Sequence, residues 1–484
     1  MSIDKAIFNG VKWTGIEFFL NFIFGFVVKL ILAKILIPED FGLVGMATVF
    51  ISIFTAISEM GISASLIQVS SDETARKYYN TAFVTAIALG AFLFICMCCI
   101  SPLIAKFYNE PFLNKLIPVL SLGIILRPFT LIPTVIFTRR MEFKVITSIS
   151  NTSNLIAGII SIGFAIYGAG VWSIALYSVL GSAMQIIFYF FKIKHEWLPK
   201  FYWNREYFDK IFTFGVFATG TALFGAFTYN VDNLIIGKML GPSYLGWYTL
   251  AFTLTEIIRQ RVSSVMNRVM YPVFCQKQGD KIFIKEYFLK MVKYNAIFLF
   301  PLMFFLMLCG EELVLIFWGE KWLGAIVPLK VLSLSVIIHL VINSFGSLLR
   351  ATGYPKVEMY VVVCLSLFVF IPSLILCINM YGLNGAAYAV LINKIVLLFV
   401  AGYILRKRIG IEFKSLFVNL RWILFSLFLS GSISYFIKVS FKDITLVVVV
   451  LLLLVFSCLY FLLLYRFSKI EFKNTVSLIF KETK

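Results

Sequence analysis

Apolar runs of about twenty residues, the length a helix needs to cross the hydrocarbon of a bilayer, recur along this chain with only short polar breaks between them. They predict helices near 11–35, 43–67, 80–101, 115–137, 146–166 and 170–191. Six more follow near 211–238, 245–267, 294–310, 325–349, 357–380 and 383–405, and a last pair near 419–437 and 444–465. The runs are continuous and do not alternate with period two, which excludes a transmembrane barrel. The expected fold is an all-α integral membrane protein with fourteen transmembrane helices.

Composition agrees. Of 484 residues, 61% are apolar, 17% aromatic and 14% charged, whereas soluble domains carry about 25% charged residues. Fourteen spans leave no room for a large soluble domain. The 43 Lys and Arg exceed the 24 Asp and Glu, but most of the excess sits beside the spans, so it reports topology and no nucleic-acid partner is expected. With the N-terminus inside, the inner linkers carry clusters such as Arg139, Arg140 and Lys144 or Arg406, Lys407 and Arg408. The outer linkers hold only Lys106, Lys115, Lys321, Lys438 and Lys442. Both termini are therefore expected in the cytoplasm. The chain opens Met-Ser-Ile-Asp-Lys without a cleavable signal pattern, so the first apolar segment is expected to be retained. Eight cysteines lie mostly within apolar runs without a histidine cluster beside them. They are expected to be small buried hydrophobes, with no metal site and no disulfide framework.

The sequence also repeats. Residues 32–50, LAKILIPEDFGLVGMATVF, align without gaps on 236–254, IGKMLGPSYLGWYTLAFTL, matching Lys34 with Lys238, Pro38 with Pro242, Gly42 with Gly246 and Ala47 with Ala251. Leu120-Ser121-Leu122 matches Leu332-Ser333-Leu334, and Tyr167-Gly168 matches Tyr381-Gly382. An even number of spans separates the copies, so the repeat is parallel, with two six-helix lobes about a pseudo-two-fold axis along the membrane normal. The expected organisation is an N-lobe at 1–191, a cytoplasmic linker at 192–210, a C-lobe at 211–408, and two further helices with a cytoplasmic tail at 409–484. Parallel repeats of this kind suggest a transporter whose halves rock about a central substrate.

Polar residues in the spans are not scattered. Ser52, Thr55, Glu59 and Ser63 follow at steps of three and four along span two, and Glu256, Arg259, Ser263 and Asn267 occupy equivalent positions on span eight. Span one carries Glu17, Asn21, Gly25 and Lys29; span seven carries Thr221, Gly225, Tyr229 and Asn233, with Asp232 adjacent. A central charge facing lipid costs about 2.5–3.5 kcal/mol on the insertion scale, so these faces should point to protein or water, which predicts a wet cleft lined by spans 1, 2, 7 and 8. An alternative for Glu256 and Arg259 is mutual neutralisation within a helix interface. Arg127 lies near the middle of span four and His339 at the matching point of span ten. Lys394 is roughly 18 Å along its helix from the basic end at Arg406, too far to snorkel out easily.

Lys29, Arg127, Arg259 and Lys394 would make the cleft cationic and suited to an anionic phosphate or pyrophosphate headgroup, Arg through its two-pronged fork and Lys as a point charge. Glu17, Glu59, Asp232 and Glu256 are candidates to hold a coupling proton or sodium ion, or to balance the cations. Asn21, Ser52, Thr55, Asn233, Ser263, Asn267 and His339 complete the polar lining. No cofactor is expected beyond coupling to protons, sodium or the membrane potential.

The segments LAKILIPEDFGLV, SEMGISASLIQ, FTRRMEFKV, YGAGVWSIAL, VDNLIIGKMLGPSYLGWYTLAF, MYPVFCQKQGD and LIFWGEKWLGAIVPLKVLSL resemble the polysaccharide-transporter branch of the MOP (multidrug, oligosaccharidyl-lipid, polysaccharide) flippase superfamily. The likeness is to its Wzx-type and colanic or teichuronic acid exporter group and covers roughly residues 1–410. It implies a MATE-like, two-lobed membrane protein of fourteen helices in the bacterial cytoplasmic (inner) membrane. It further implies a substrate, an undecaprenyl-pyrophosphate-linked oligosaccharide such as an O-antigen, capsule or exopolysaccharide repeat unit, carried from the inner to the outer leaflet. The partners implied are that lipid, the surrounding membrane lipids and a polysaccharide polymerase or export machinery. The branch has no invariant catalytic signature, so no catalytic residues are expected and the protein reads as a transporter, not an enzyme. Ile37 stands where the second copy has Gly241, a change expected to stiffen or reshape the outer turn, and Glu59 stands where many relatives have Asp.

Three rival readings remain at this level, one of them a non-transporting membrane scaffold, for which charged residues at mid-membrane would be an unexplained cost. A cation-coupled multidrug or metabolite antiporter of the MATE type would show twelve spans. A polymerase or ligase acting on the same lipids would present a large external loop, and the longest external linker, near 101–115, offers only Lys106, Tyr108, Asn109 and Glu110. The uncharged final run at 444–465 suits either a lipid-tail groove or simple packing against lipid.

Overall fold

The computed structural model describes residues 24–467 apart from 60, 69–71, 194–196, 199 and 442–444. Among these residues the regular structure is all helical. Among the described residues ten helices are long and apolar enough to cross a membrane, and one of them, 355–409, holds two helices joined at Gly382. There the backbone turns to φ 57° and ψ −135°, a conformation that glycine reaches without a side-chain clash.

The chain packs as two compact units, 1–246 and 247–484. The first contains α1 (24–35), α2 (Pro38–Glu59), α3 (Ile62–Gln68), α4 (Asp72–Tyr108), α5 (Leu113–Arg139), α6 (Phe143–Ile166), α7 (Val171–Ile193) and α8 (Arg205–Leu240). α4 pairs with α5, α6 with α7, and α2 packs on both α5 and α8. Tyr79, Phe83, Ile132, Val135 and Tyr189 form a core that holds α4, α5 and α7 together. α5 tolerates prolines at 118, 128 and 133. Pro128 has no N–H for the Ile124 carbonyl, and Gly90 of α4 lies against that freed group, 3.1 Å from where its Cβ would be.

Turn geometry differs between the repeat copies. Gly241 caps α8 at φ 94°, whereas the only non-glycine residues with positive φ among those described are Asn109 and Met141. Ile37 therefore keeps an ordinary backbone, and its N–H donates to Asp40 Oδ2 at 3.3 Å. The linker expected near 101–115 is shorter than the sequence suggests, because α4 continues to Tyr108 and α5 begins at Leu113.

α9 (Pro242–Phe252) crosses from the first unit into the second. It runs without interruption through a π-helical turn, Thr253–Ile257, into α10 (Ile258–Gln276). The second unit continues with α11 (Lys281–Trp318), a 3-10 turn (Glu320–Ala325), α12 (Ile326–Leu340), α13 (Phe345–Ala351), α14 (Pro355–Leu365) with its own π turn (Ser366–Phe370), α15 (Ile371–Ile409), α16 (Phe413–Ser440) and α17 (Leu446–Phe467).

α11 is the hub of this unit and packs against α12, α16 and α17. The last two helices are fastened to it along their length. Asn419 Nδ2 donates to the Leu289 carbonyl (2.7 Å), the Tyr460 hydroxyl to the Ile297 carbonyl (3.2 Å), and the Lys438 ammonium to the Leu308 carbonyl and to Glu312 (both 2.7 Å).

The cysteines depart from expectation: Cys309 is buried, but Cys99, Cys364 and Cys458 are exposed and the other four are half-buried. An apolar run in a bilayer faces lipid as well as protein, so hydrophobicity alone does not imply burial.

Candidate functional site

In the second unit, the polar residues of span eight sit where the helix loosens. Thr253 and Thr255 bend their hydroxyls back onto the carbonyls of Thr249 (2.7 Å) and Ala251 (2.8 Å). Such bonds compete with the backbone ladder, and the turn Thr253–Ile257 is π-helical. Glu256 projects from this turn with 3% exposure, and Arg259, one turn on, is 8% exposed. Arg259 Nε donates to Glu256 Oε2 and its Nη1 donates to Asn343 Oδ1, each at 2.7 Å.

Asn343 lies in a second irregularity. Between α12 and α13, residues 341–344 leave the α-helix: Val341 and Ile342 donate to carbonyls three residues back, at 3.3 and 3.0 Å, and Phe345 does the same at 2.9 Å. A discontinuous membrane helix exposes backbone and side-chain polar groups that a continuous one would hide. Here the break faces the π turn. Lys394 of α15 acts electrostatically on both Glu256 and His339, and Arg259 also acts on His339. One turn along, Ser347 Oγ donates to Asn267 Oδ1 at 3.0 Å. Four buried atoms of this cluster, Glu256 Oε1, His339 Nδ1, Asn343 Nδ2 and Ser344 Oγ, have no protein hydrogen-bond partner, and neither does Ser263 Oγ.

The first unit brings together a different set. Arg127 of α5 pairs with Glu59 at the end of α2, both side chains partly exposed. Ser52 accepts from Asn230 Nδ2 at 3.0 Å, and the same amide donates to the Ala226 carbonyl at 2.7 Å. Asp232 is 5% exposed, and its Oδ1 accepts from the Asn233 N–H at 2.9 Å. Thr55 and Asn233 are half-buried and Lys29 is exposed. Glu17 and Asn21 lie outside the described residues.

The polar stripes thus converge in two places: Glu256, Arg259, His339 and Lys394 in one unit, Ser52 beside Asn230 and Glu59 beside Arg127 in the other. Sequence spacing alone passed over Asn230 and Asn343. Asn230 lies one helical turn beyond Ala226, off the stripe read through Tyr229 and Asn233. Asn343 is four residues beyond His339, a spacing that a search from that histidine would have met.

Helices of this length and apolarity, with a buried ion pair beside a helix break, define a multi-pass helical membrane protein. The family model described as "Polysaccharide biosynthesis protein" matches residues 31–328, and the chain belongs to that family. Among curated proteins it is 28% identical to the teichuronic acid biosynthesis protein TuaB of Bacillus subtilis over 74% of each chain. It is 25% identical to the lipopolysaccharide biosynthesis protein WzxC of Escherichia coli K12 over 88% of this chain and 86% of that one. Its fold is similar to that of the lipid II flippase MurJ in an inward closed conformation, with a TM-score of 0.72 and 16% identity over 94% of this chain and 98% of that one. It is also similar to an inward-facing multidrug resistance MATE transporter of the MOP superfamily, with a TM-score of 0.63 and 14% identity over 81% and 94% of the two chains.

Proposed function

We propose that this protein is a flippase that moves an undecaprenyl-pyrophosphate-linked oligosaccharide from the inner to the outer leaflet of the bacterial cytoplasmic membrane by alternating access. The reading takes the chain as fourteen spans, two six-helix halves and an appended pair, with both termini in the cytoplasm as the placement of its cations favours. The observation that carries it is Arg259: a buried cationic residue, 8% exposed, in the helix this reading takes as the eighth span, pointed at a broken helix and backed by Lys394. Buried intramembrane cations are costly and mark substrate pathways, and a guanidinium fork matches phosphate oxygens. Family membership and the teichuronic acid and lipopolysaccharide biosynthesis names of its relatives support the polysaccharide side of the reading, and the likeness in fold to a lipid II flippase supports the lipid-linked cargo.

The test is reconstitution into vesicles loaded with the lipid-linked oligosaccharide on one leaflet, with crossing followed by an impermeant reagent that modifies the sugar. Protein-dependent crossing is expected, with loss in Arg259→Ala and Lys394→Ala at equal protein content. Crossing that is the same with and without the protein would reject the flippase reading. Normal crossing in both variants would reject the cationic site.

A further inference from the structure

Arg259 is already occupied. Its Nε and Nη1, two of the donors a phosphate would use, are held by Glu256 and Asn343. Around the pair, the unpartnered groups are of mixed character: Asn343 Nδ2 and the Ser344 hydroxyl are donors, and Glu256 Oε1 is an acceptor while ionised. A metal cation does not suit this set, because the carboxylate is bound to a guanidinium and Lys394 adds a second positive charge. An anionic phosphate suits the donors but meets Glu256 as a like charge.

This inference rests on the reading of the cluster as a headgroup site. We propose that the diphosphate takes the place of Glu256 on Arg259, and that the displaced carboxylate binds one proton from solvent as the anion enters. The only bond made is O–H on Glu256, and the proton returns to water when the headgroup leaves. Protonation turns the carboxyl from an acceptor into a donor, so it supports the phosphate oxygens and no longer repels them. The charges facing Glu256 are Arg259 from α10 and Lys394 from α15, with His339 of α12 near both cations. With Glu256 neutral, these two cations match the two negative charges of a diphosphate diester. With the site empty, Glu256 neutralises one of them, which lowers the desolvation cost of resting without cargo. Glu256 is thus a resident counter-ion, and headgroup binding is linked to proton uptake.

A soluble short-chain prenyl diphosphate sugar serves as the probe, because each of its phosphates keeps one negative charge between pH 6 and 8 and exchanges no proton itself. It is titrated calorimetrically onto the full-length protein in micelles, in two buffers of different ionisation enthalpy. The wild type should show uptake of about one proton per probe bound. Glu256→Gln, which keeps the shape but cannot take the proton, should bind with no buffer dependence. A buffer-independent binding enthalpy in the wild type, or uptake that survives in Glu256→Gln, overturns the exchange and leaves the headgroup site standing. No binding of the probe to the wild type overturns both. The wild-type measurement decides alone if Glu256→Gln does not fold.

Discussion

Gly42 lies against the backbone carbonyl of Pro242, and Gly246 lies against the carbonyl of Pro38, so each proline carbonyl fills the space that a side chain on the opposite glycine would need. These four residues are two of the matched pairs of the sequence repeat, and at these positions the match has a steric reason.

Gly42→Ala would drive a methyl group into the Pro242 carbonyl, and no side-chain rotation can relieve a clash with backbone. A loss of about 1–3 kcal/mol is expected, in line with overpacking, seen as a lower thermal midpoint of the purified protein. Gly163→Ala, where nothing lies within 4 Å of the new methyl, is the control. It should be neutral or stabilising, since alanine favours the helix.

Arg259→Ala should also destabilise the protein, because it leaves Glu256 buried and unpaired and strips Asn343 of its donor. Breaking a buried pair from one side costs about 3–5 kcal/mol. The double variant Arg259→Ala with Glu256→Ala should recover part of that loss. Thermal unfolding of the four combinations measures the coupling; strict additivity would show that the pair does not act as a unit.

Lys438→Met should loosen the appended helices, since this one ammonium holds both Glu312 and the Leu308 carbonyl and is mostly buried. A faster proteolytic release of α16 and α17 is the expected readout. Lys290→Met removes an exposed pair with Glu286 on the surface of α11 and should change stability by less than about 0.5 kcal/mol.

Glu110, in the turn between α4 and α5, has its carboxyl pushed above the ordinary carboxylate range, first by burial and then by the negative charge of Glu39. The folded state therefore disfavours the ionised form. Stability from this group is full below the ordinary range and falls as pH rises through the raised value. Glu110→Gln should raise the thermal midpoint at neutral pH and leave it unchanged in acid. A gain of equal size at both ends of the range would exclude the electrostatic cause.

The membrane class, the position of most spans and the repeat were legible in the sequence, because a bilayer demands long apolar runs and each run reports locally on its own helix. The helical stripes were legible too: steps of three and four placed Glu256 with Arg259, and Ser52 with Glu59, on shared faces. Which groups those faces meet was not. Ser52 finds Asn230 and Arg259 finds Asn343 from helices far away in sequence, and periodicity carries no information about a partner element. Nor did the pattern reveal the π turn at Thr253–Ile257 or the break at 341–344. Both are local departures from the helix that leave the apolar period almost untouched. The sequence by itself therefore determined that charge would be buried in a duplicated membrane bundle, because the cost of placing it in lipid is a property of the residue. Only tertiary structure decided that Arg259 rests on Glu256 and Asn343, because hydrogen-bond partners are set by distances of about 3 Å that packing alone creates.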